Sequence, residues 1–123
     1  MLNRRQLLGQ RGETIACNYL EQHGYKIVQQ NFRCTFGELD IIANDGNTLV
    51  IVEVKTRSSN NFGPPAAAVG FKKQSQICRA TQIYLADHDT TERDIRFDVV
   101  SILIGQNGPP EIELLIDAFE FCL

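Results

Sequence analysis

Apolar side chains recur along this chain with two different spacings. In residues 5–23, and again in 66–87, they return every three or four positions, which is typical of amphipathic helices that pack on one side. Gly24 supplies a stop for the first helix, and Gly70 is expected to separate an initial turn from the main body of the second. The pattern therefore predicts two helices.

The remaining apolar segments have the β-branched character of strands. Asp45-Gly46 lies between two such runs and is a strong hairpin signal, because both residue types tolerate turn conformations with positive φ. Residues 57–65 are rich in Ser, Asn, Gly and Pro and are predicted as a loop. Strands are predicted at residues 26–34, 37–43, 48–56, 95–104 and 111–116, with a turn-rich connection between the last two.

The predicted order of elements is α-β-β-β-α-β-β, in a single domain that spans residues 1–123. We find no internal repeat and no linker that would divide the chain. Both faces of the central hairpin carry apolar residues. This favours an α/β fold in which the hairpin belongs to a sheet flanked by the two helices.

The turn of the central hairpin predicts which residues face each other. With Asp45-Gly46 as the turn, Glu38 faces Glu53. Asp40 then faces Ile51. Because side chains alternate between the faces of a strand, one face should be apolar and the other should carry three acids and a lysine far from the turn. The apolar face comprises Leu39, Ile41, Ala43, Val50, Val52 and Val54, and the mixed face comprises Glu38, Asp40, Ile42, Leu49, Ile51, Glu53 and Lys55.

Acidic side chains this close repel each other unless a cation compensates their charge. Lys55 alone could do so in a solvated network at the edge of the sheet, or a divalent metal ion could bind between the acids. Mg²⁺ prefers carboxylate and water oxygens and is usually held by one or two protein carboxylates. Such an ion activates water and neutralises phosphate charge, while a neighbouring lysine can position the water. Asp40, Glu53 and Lys55 therefore indicate phosphodiester hydrolysis.

The composition of the chain bears on its cellular location, its cysteines and its binding of nucleic acid. No apolar run is long enough for a membrane helix or a signal peptide, so a cytoplasmic location is expected. Cys17, Cys34, Cys78 and Cys122 form no C-x-x-C pair and are expected to be idle or buried thiols. A net charge of -3 argues against a dedicated duplex binder, but it does not exclude basic residues placed beside an acidic centre.

The order Asp40, then Glu53-Val54-Lys55, resembles the D…E-x-K signature of the PD-(D/E)XK nuclease superfamily. Leu39 stands where the written name of the superfamily has proline. The accompanying motifs are Gly12-Glu13-x-x-Ala16, Gly37-Glu38-Leu39-Asp40-Ile41-Ile42-Ala43, Val52-Glu53-Val54-Lys55-Thr56-Arg57, Phe62-Gly63-x-Pro65 and Arg96-Phe97-Asp98-Val99-Val100. Together they resemble the YraN family of small bacterial nuclease-like proteins over nearly the whole chain. The chain is also similar in size and motif order to archaeal Holliday-junction resolvases.

The resemblance implies a restriction-endonuclease-like fold, with a mixed central sheet flanked by helices. It implies that Asp40 and Glu53 bind Mg²⁺ or Mn²⁺ and that Lys55 positions or activates the attacking water. By the same analogy Glu13 reaches the metal from the first helix, and Gln74 lies near the site on the second. The alternative for these two residues is an exposed helical face. A homodimer is also implied, because junction resolvases cut two symmetric strands.

Basic residues are candidates for phosphate contacts with nucleic acid, although each alone is explained more simply as a solubilising charge. Arg57 is the best candidate, because it lies two residues beyond Lys55 on the same strand face if the strand continues. Phe62 in the following loop could stack on an unpaired base or pack onto the core. The other basic candidates are Arg11, Lys72 and Lys73, together with Arg4, Arg5 and Arg79.

Three functions stay open at this point. The first is a metal-dependent endonuclease that acts on DNA, including branched or damaged DNA. The second is a catalytically silent nucleic-acid-binding module that works with a partner nuclease or helicase. The third is a structural or adaptor domain. The intact set of two acids and a lysine favours the first, because a drifted domain has no physical reason to keep three interacting charges half buried.

Overall fold

In the computed structural model, which describes residues 1–58, 69–88, 93–105 and 107–121, a five-stranded sheet carries one helix on each face. The predicted element order, α-β-β-β-α-β-β, and the predicted mixed sheet with flanking helices are confirmed. The helices are α1 (Arg4–Gln22) and α2 (Phe71–Asp87), and the strands are β1 (Lys26–Cys34), β2 (Gly37–Asp45), β3 (Thr48–Ser58), β4 (Ile95–Ile104) and β5 (Glu111–Phe119).

The strands lie in the sheet in their sequence order, and only one of the neighbouring pairs is parallel. β1 with β2, β2 with β3, and β4 with β5 are antiparallel, whereas β3 and β4 run parallel over their full lengths. A parallel pair needs a long crossover rather than a tight turn. The connection from β3 to β4 contains α2, which packs on the sheet face opposite α1.

Apolar residues of the two sheet faces form two cores. Val50 and Val52 pack under α1, whereas Leu49 and Ile51 pack under α2. The central strands β3 and β4 are buried on both faces, which explains their nearly continuous apolar sequences. β5 extends beyond its predicted end to Phe119, whose ring stacks on Phe97 at a centroid distance of 4.8 Å.

The helix starts differ from their predicted positions for local reasons. α1 begins at Arg4 because Asn3 and Gln6 form a capping box, in which each side chain accepts a hydrogen bond from the other's backbone N–H. α2 begins only at Phe71, and Gly70 is its N-cap residue. Residues 66–68 of the predicted helix lie outside the described residues.

The predicted turn of the β2–β3 hairpin is wrong by one position. Asp45 pairs with Thr48, so the turn residues are Gly46 and Asn47, and Gly46 supplies the positive φ of +60°. Ile51 consequently faces Ile42 and not Asp40. The turn is shifted by a contact between residues distant in sequence. Arg96 holds Asp45 in the strand, since its Nη2 donates to Asp45 Oδ2 at 2.9 Å.

A buried carboxylate joins β4 to its surroundings. Asp98 has no solvent exposure and accepts hydrogen bonds from the Tyr25 hydroxyl at 2.7 Å and from Arg96 Nε at 2.9 Å. The backbone N–H of Asp117 in β5 donates to the same carboxylate at 2.9 Å. Burial and the hydrogen bond to Asp98 raise the pKa of the Tyr25 hydroxyl, which stays protonated as a donor. The network therefore links the C-terminal side of α1, β4 and β5.

The cysteines correct one sequence-based expectation. Cys17 and Cys34 are free thiols, as expected. Cys78 is disulfide-bonded, so the expectation of a thiol is wrong for this residue. Spacing along the chain indicates only local pairs, whereas a disulfide between distant cysteines depends on tertiary proximity. Cys122 lies outside the described residues.

Removing the buried carboxylate should destabilise the protein strongly. Asp98→Ala leaves the Arg96 guanidinium and the Tyr25 hydroxyl without their shared partner, so we expect the free energy of unfolding to fall by about 3–5 kcal/mol. Urea denaturation measures this change. Asp94→Ala, which removes an exposed carboxylate just before the same strand, should change it by less than about 0.5 kcal/mol. If Asp98→Ala lowered the free energy of unfolding no more than Asp94→Ala does, the Asp98 network would contribute little to stability.

Candidate functional site

The candidate site lies where β2 and β3 separate. Their ladder of paired residues ends at Ile41 and Val52. Beyond this pair the side chain of Asp40 replaces the backbone partner, since its Oδ2 accepts the Val54 N–H at 2.8 Å. A carboxylate is thereby fixed in the gap between two strands, where its position depends on backbone geometry and not on a flexible surface rotamer.

Strand alternation breaks at the same place. Leu39 packs in the core under α2 together with Ile42, whereas Ile41 packs in the core under α1. The predicted grouping of Leu39 with Ile41 on one face is therefore wrong. The predicted grouping of Glu38 and Asp40 with Glu53 on one face is also wrong, because the first two line a recess under α1 whereas Glu53 pairs with Lys73 of α2. On the neighbouring β1, Asn31 has a φ of +55°, and the pairing with β2 passes from Gln30–Ile41 to Phe32–Leu39 around it. The irregularity turns Glu38 and Asp40 towards the helix α1.

Three carboxylates meet in a recess under α1. Each of Glu13, Glu38 and Asp40 offers an oxygen within 4.8 Å of the other two, and all three residues are half-buried. The recess has a volume of about 320 Å³. Its lining consists of Arg5, Leu8, Gly9, Glu13, Glu38, Asp40, Val54 and Thr56. Oxygen donors of this kind and spacing suit a hard divalent cation such as Mg²⁺ or Mn²⁺.

Gly12 sets how closely Glu13 approaches the sheet. A Cβ atom at position 12 would lie 1.9 Å from Thr56 Oγ1, so only glycine permits the observed contact between α1 and β3. Glu13 follows directly and points into the recess. Glu13 is half-buried beside Asp40 and does not lie on an exposed helical face, whereas its assistance to a metal ion stays a prediction.

Asn31 is a site residue that sequence reasoning missed. With its amide nitrogen facing the carboxylates, it donates to Glu13 Oε1 at 2.9 Å and to Glu38 Oε1 at 2.6 Å. Asparagine adopts positive φ more readily than most residues, which suits this position in β1. The residue lies in an ordinary strand sequence, so no spacing or motif marks it. Glu38, noted only as a source of repulsion, also belongs to the cluster.

Glu53 approaches Asp40 from the α2 side of the sheet. Only 9% of Glu53 is exposed. Its pKa is raised to about 8, mainly by burial and further by the charge of Asp40 and a hydrogen bond between the two carboxyl groups. The positive charges of Lys73 and Lys55 oppose it. Lys73 Nζ lies 3.8 Å from Glu53 Oε1. Asp40, Glu53 and Lys55 thus lie within electrostatic reach of one another.

The carboxylates under α1 are also short of positive charge. Burial, followed by the charges of Asp40 and Glu38, raises the pKa of Glu13 to about 7, and the charge of Arg33 only partly opposes this rise. Arg33 lies on the exposed side of the cluster, with its Nε 3.5 Å from Glu38 Oε2. Two glutamates on opposite sides of Asp40 therefore hold protons near neutral pH, and a bound cation would relieve this repulsion.

Gln74 and Arg57 were also predicted to lie at or near the site. Gln74 donates through Nε2 to the Val69 carbonyl at 2.7 Å, at the start of α2. Arg57 lies in β3, so its assignment to a loop is wrong, and residues 59–65, including Phe62, lie outside the described residues. Arg57 lines a recess with Glu111 and Glu113, and these acids reduce its suitability for phosphate.

Two groups of cations lie on either side of the carboxylates. Arg11 is exposed on α1 and lines a surface depression of about 510 Å³ with Arg4 and Arg5. Lys72 is exposed at the start of α2, next to the Lys73 that pairs with Glu53. Phosphate contacts by these residues stay a prediction.

The family model of the Uncharacterised protein family UPF0102 matches residues 12–102. This chain belongs to the UPF0102 family. The matched range begins at Gly12 and includes Glu13, Asn31, Glu38 and the Asp40–Lys55 region, whereas the arginines at the start of α1 precede it.

UPF0102 proteins of three bacteria are similar to this one over nearly their whole lengths. The protein of Geobacter metallireducens is 51% identical over 113 residues, which cover 92% of each chain. That of Caldicellulosiruptor bescii is 46% identical over 114 residues, covering 91% of this chain and 96% of the relative. That of Nocardia farcinica is 45% identical over 115 residues, covering 94% and 91%.

Among the described residues of this UPF0102 protein, neither helix combines the length and the apolar character that crossing a bilayer requires.

Substitution of Gly12 should disturb both packing and the site. Gly12→Ala forces α1 away from Thr56, and overpacking of this kind costs about 1–3 kcal/mol of unfolding free energy. Gly9→Ala is the matched control, because a Cβ atom there meets nothing within 4 Å. It should stabilise α1 by up to about 1 kcal/mol. Thermal and urea unfolding of both variants measures the difference, and equal stability would show that the close contact is not required.

The raised pKa of Glu53 predicts a pH-dependent stability. The folded protein keeps the Glu53 proton up to about pH 8, whereas the unfolded chain releases it near the ordinary value of 4.5. The free energy of unfolding should therefore fall as pH rises from 4.5 to 8, by at most about 1.4 kcal/mol per pH unit for this group, and then level off. Glu13 adds to the fall up to about pH 7.

Urea denaturation between pH 5 and 9, in the presence of EDTA, measures this dependence. Glu53→Gln should flatten the curve, because the amide cannot ionise. Glu21→Gln on the exposed side of α1 should leave it unchanged. A wild-type stability that rises over this range would contradict the assigned pKa direction.

Proposed function

We propose that this UPF0102 protein is a Mg²⁺- or Mn²⁺-dependent endonuclease of the PD-(D/E)XK superfamily that hydrolyses phosphodiester bonds in DNA. One observation carries the proposal: Asp40, fixed by the Val54 N–H in the gap between β2 and β3, contacts carboxylates on both of its sides. Glu13 and Glu38 lie on the α1 side, and Glu53 lies on the α2 side. An acidic centre open to solvent on a rigid sheet suits metal-dependent hydrolysis.

The residues present fit a hard divalent cation. Their donors are carboxylate oxygens, and burial together with the negative charges of neighbouring carboxylates raises the pKa values of Glu13 and Glu53. Asp40 would hold the ion together with Glu13 and Glu38, whose oxygens lie close enough to share it, and Glu53, the second ligand that the D…E-x-K signature implies, would act from the other side of Asp40. When bound, such an ion lowers the pKa of a coordinated water and compensates charge on the phosphate.

Three further side chains would position the water, the carboxylates and the DNA phosphate. Lys55 lies close enough to Glu53 to lower its pKa, so its ammonium group can orient the attacking water or stabilise charge on the phosphate as the bond breaks. Asn31 holds Glu13 and Glu38 in place through its amide. Lys73 pairs with Glu53 and would be available to a DNA phosphate if an ion took over the compensation of the Glu53 charge.

Branched or damaged DNA is the substrate that the similarity to junction resolvases suggests. A resolvase cuts two symmetric strands, which requires two active sites, so the proposal includes a homodimer. The negative overall charge favours local contacts over a broad duplex-binding surface. The basic residues on either side of the carboxylates supply such local contacts.

The proposal predicts metal-dependent cleavage that requires the central side chains. Linear, flapped and four-way DNA are incubated with Mg²⁺ or Mn²⁺, and products are separated by denaturing electrophoresis. Asp40→Asn, Glu53→Gln and Lys55→Ala should each lower the cleavage rate by at least about 100-fold, because each removes charge from the reacting centre. Asp87→Ala, at the exposed end of α2, is the control and should cleave like the wild type.

Cleavage that survives all three central substitutions would remove the assignment. Salt-dependent binding of DNA without cleavage under any metal would instead indicate the catalytically silent module that assists a partner nuclease or helicase. Calorimetry with Mn²⁺ tests the metal site separately: binding should strengthen as pH rises from 6 towards 8, because Glu13 and Glu53 must release protons to bind the ion.

A further inference from the structure

A cleft beside the acidic centre has a composition that the hydrolytic site does not explain. It lies between the β1–β2 turn and the first turns of α2 and has a volume of about 540 Å³. Phe36 forms one wall and Phe71 belongs to the other. Their exposed fractions, 42% and 80%, are high for phenylalanine in a folded protein. Neither ring belongs to the two cores.

The charges that line this cleft are of one sign. Lys72 and Arg79 are its charged residues among those described, and no acidic side chain lines it. The Arg79 guanidinium lies 5.4 Å from the centroid of the Phe36 ring. A cation over an aromatic face fixes the direction of the ring and keeps positive charge beside it. Single exposed phenylalanines need no explanation, but two in one cationic concavity match the surfaces on which nucleobases stack.

Both walls continue into the proposed active site. Phe36 precedes Gly37 and Glu38, and two residues of chain span at most about 7 Å. Lys72 on the other wall precedes Lys73, which pairs with Glu53. A strand with one base in the cleft would therefore present a neighbouring phosphate to the carboxylates.

We infer that this cleft binds an unpaired base of the DNA substrate, by stacking on Phe36 and Phe71, with Lys72 and Arg79 at the adjoining phosphates. The inference rests on the proposed function and narrows its substrate to DNA with a single-stranded segment near the cut. A base within a duplex is already stacked on its neighbours and cannot enter the cleft. Duplex DNA would therefore contact only the surrounding cations.

Binding measurements on the full chain test the inference without requiring cleavage. The Asp40→Asn protein in Mg²⁺ is titrated against a fluorescein-labelled oligothymidylate and against a blunt duplex of equal length, with fluorescence anisotropy as the readout. In this background, Phe71→Leu and Phe36→Leu should each weaken binding of the single strand about 10-fold, because leucine keeps the apolar contact but lacks an aromatic face. Binding of the duplex should change less than about 2-fold.

Two matched substitutions serve as controls. Phe71→Tyr keeps an aromatic face and should keep wild-type affinity for the single strand. Ile116→Ala removes an exposed apolar side chain from β5, at the far edge of the sheet, and should have no effect. Phe71 is largely exposed, so its variants should fold normally, and their melting temperatures check this.

The binding results test base stacking in the cleft independently of the proposed endonuclease activity. Loss of single-strand binding in Phe71→Leu but not in Phe71→Tyr supports stacking. If Phe71→Leu binds the single strand as tightly as Phe71→Tyr and Ile116→Ala do, the cleft does not stack a base and the inference is overturned, while metal-dependent cleavage by the wild type can still stand. If the wild type cleaves no DNA but the aromatic dependence of binding is present, the inference stands and the endonuclease assignment fails.

Discussion

The hydrogen bond from the Val54 N–H to the Asp40 carboxylate is the interaction on which the candidate site depends. It ends the β2–β3 ladder with a side chain in place of a backbone carbonyl, so the two strands separate at a defined point. Every other acidic group of the site is positioned relative to this point. Glu13 and Glu38 lie on one side of Asp40, and Glu53 lies on the other.

This arrangement of carboxyl groups is electrostatically unfavourable. Four carboxyl groups converge where burial weakens their hydration, and the protein responds by holding protons on Glu13 and Glu53. Lys73 and Asn31 reduce the repulsion without removing it. The two cores stabilise the fold against this repulsion. The buried Asp98 network adds to them by holding β4 beside β3. The two buried acids differ in their surroundings: Asp98 accepts hydrogen bonds from Tyr25, Arg96 and the Asp117 N–H, whereas Glu53 lies against another carboxyl group.

Much of the fold could be predicted because it depends on local patterns. The limits of β1 and β4 are those expected from apolar runs, and α1 ends close to its predicted stop. The predictions that failed depend on contacts between distant residues. Arg96 holds Asp45 in its strand and so moves the turn, Phe97 extends β5 through its contact with Phe119, and the Cys78 disulfide has no local signal.

The order of elements and the chemical identity of the central residues, Asp40, Glu53 and Lys55, were determined by the sequence itself, since periodicity and residue type are properties of the chain alone. Tertiary structure decided which acids meet. The break in strand alternation at Asp40 and the close approach at Gly12 bring Glu13, Glu38 and Asn31 into one recess. Neither feature follows from spacing, because one depends on a single irregular backbone position and the other on the absence of a side chain against a neighbouring strand. The aromatic cleft has the same origin, since only the packing of α2 beside the β1–β2 turn brings Phe36 and Phe71 together.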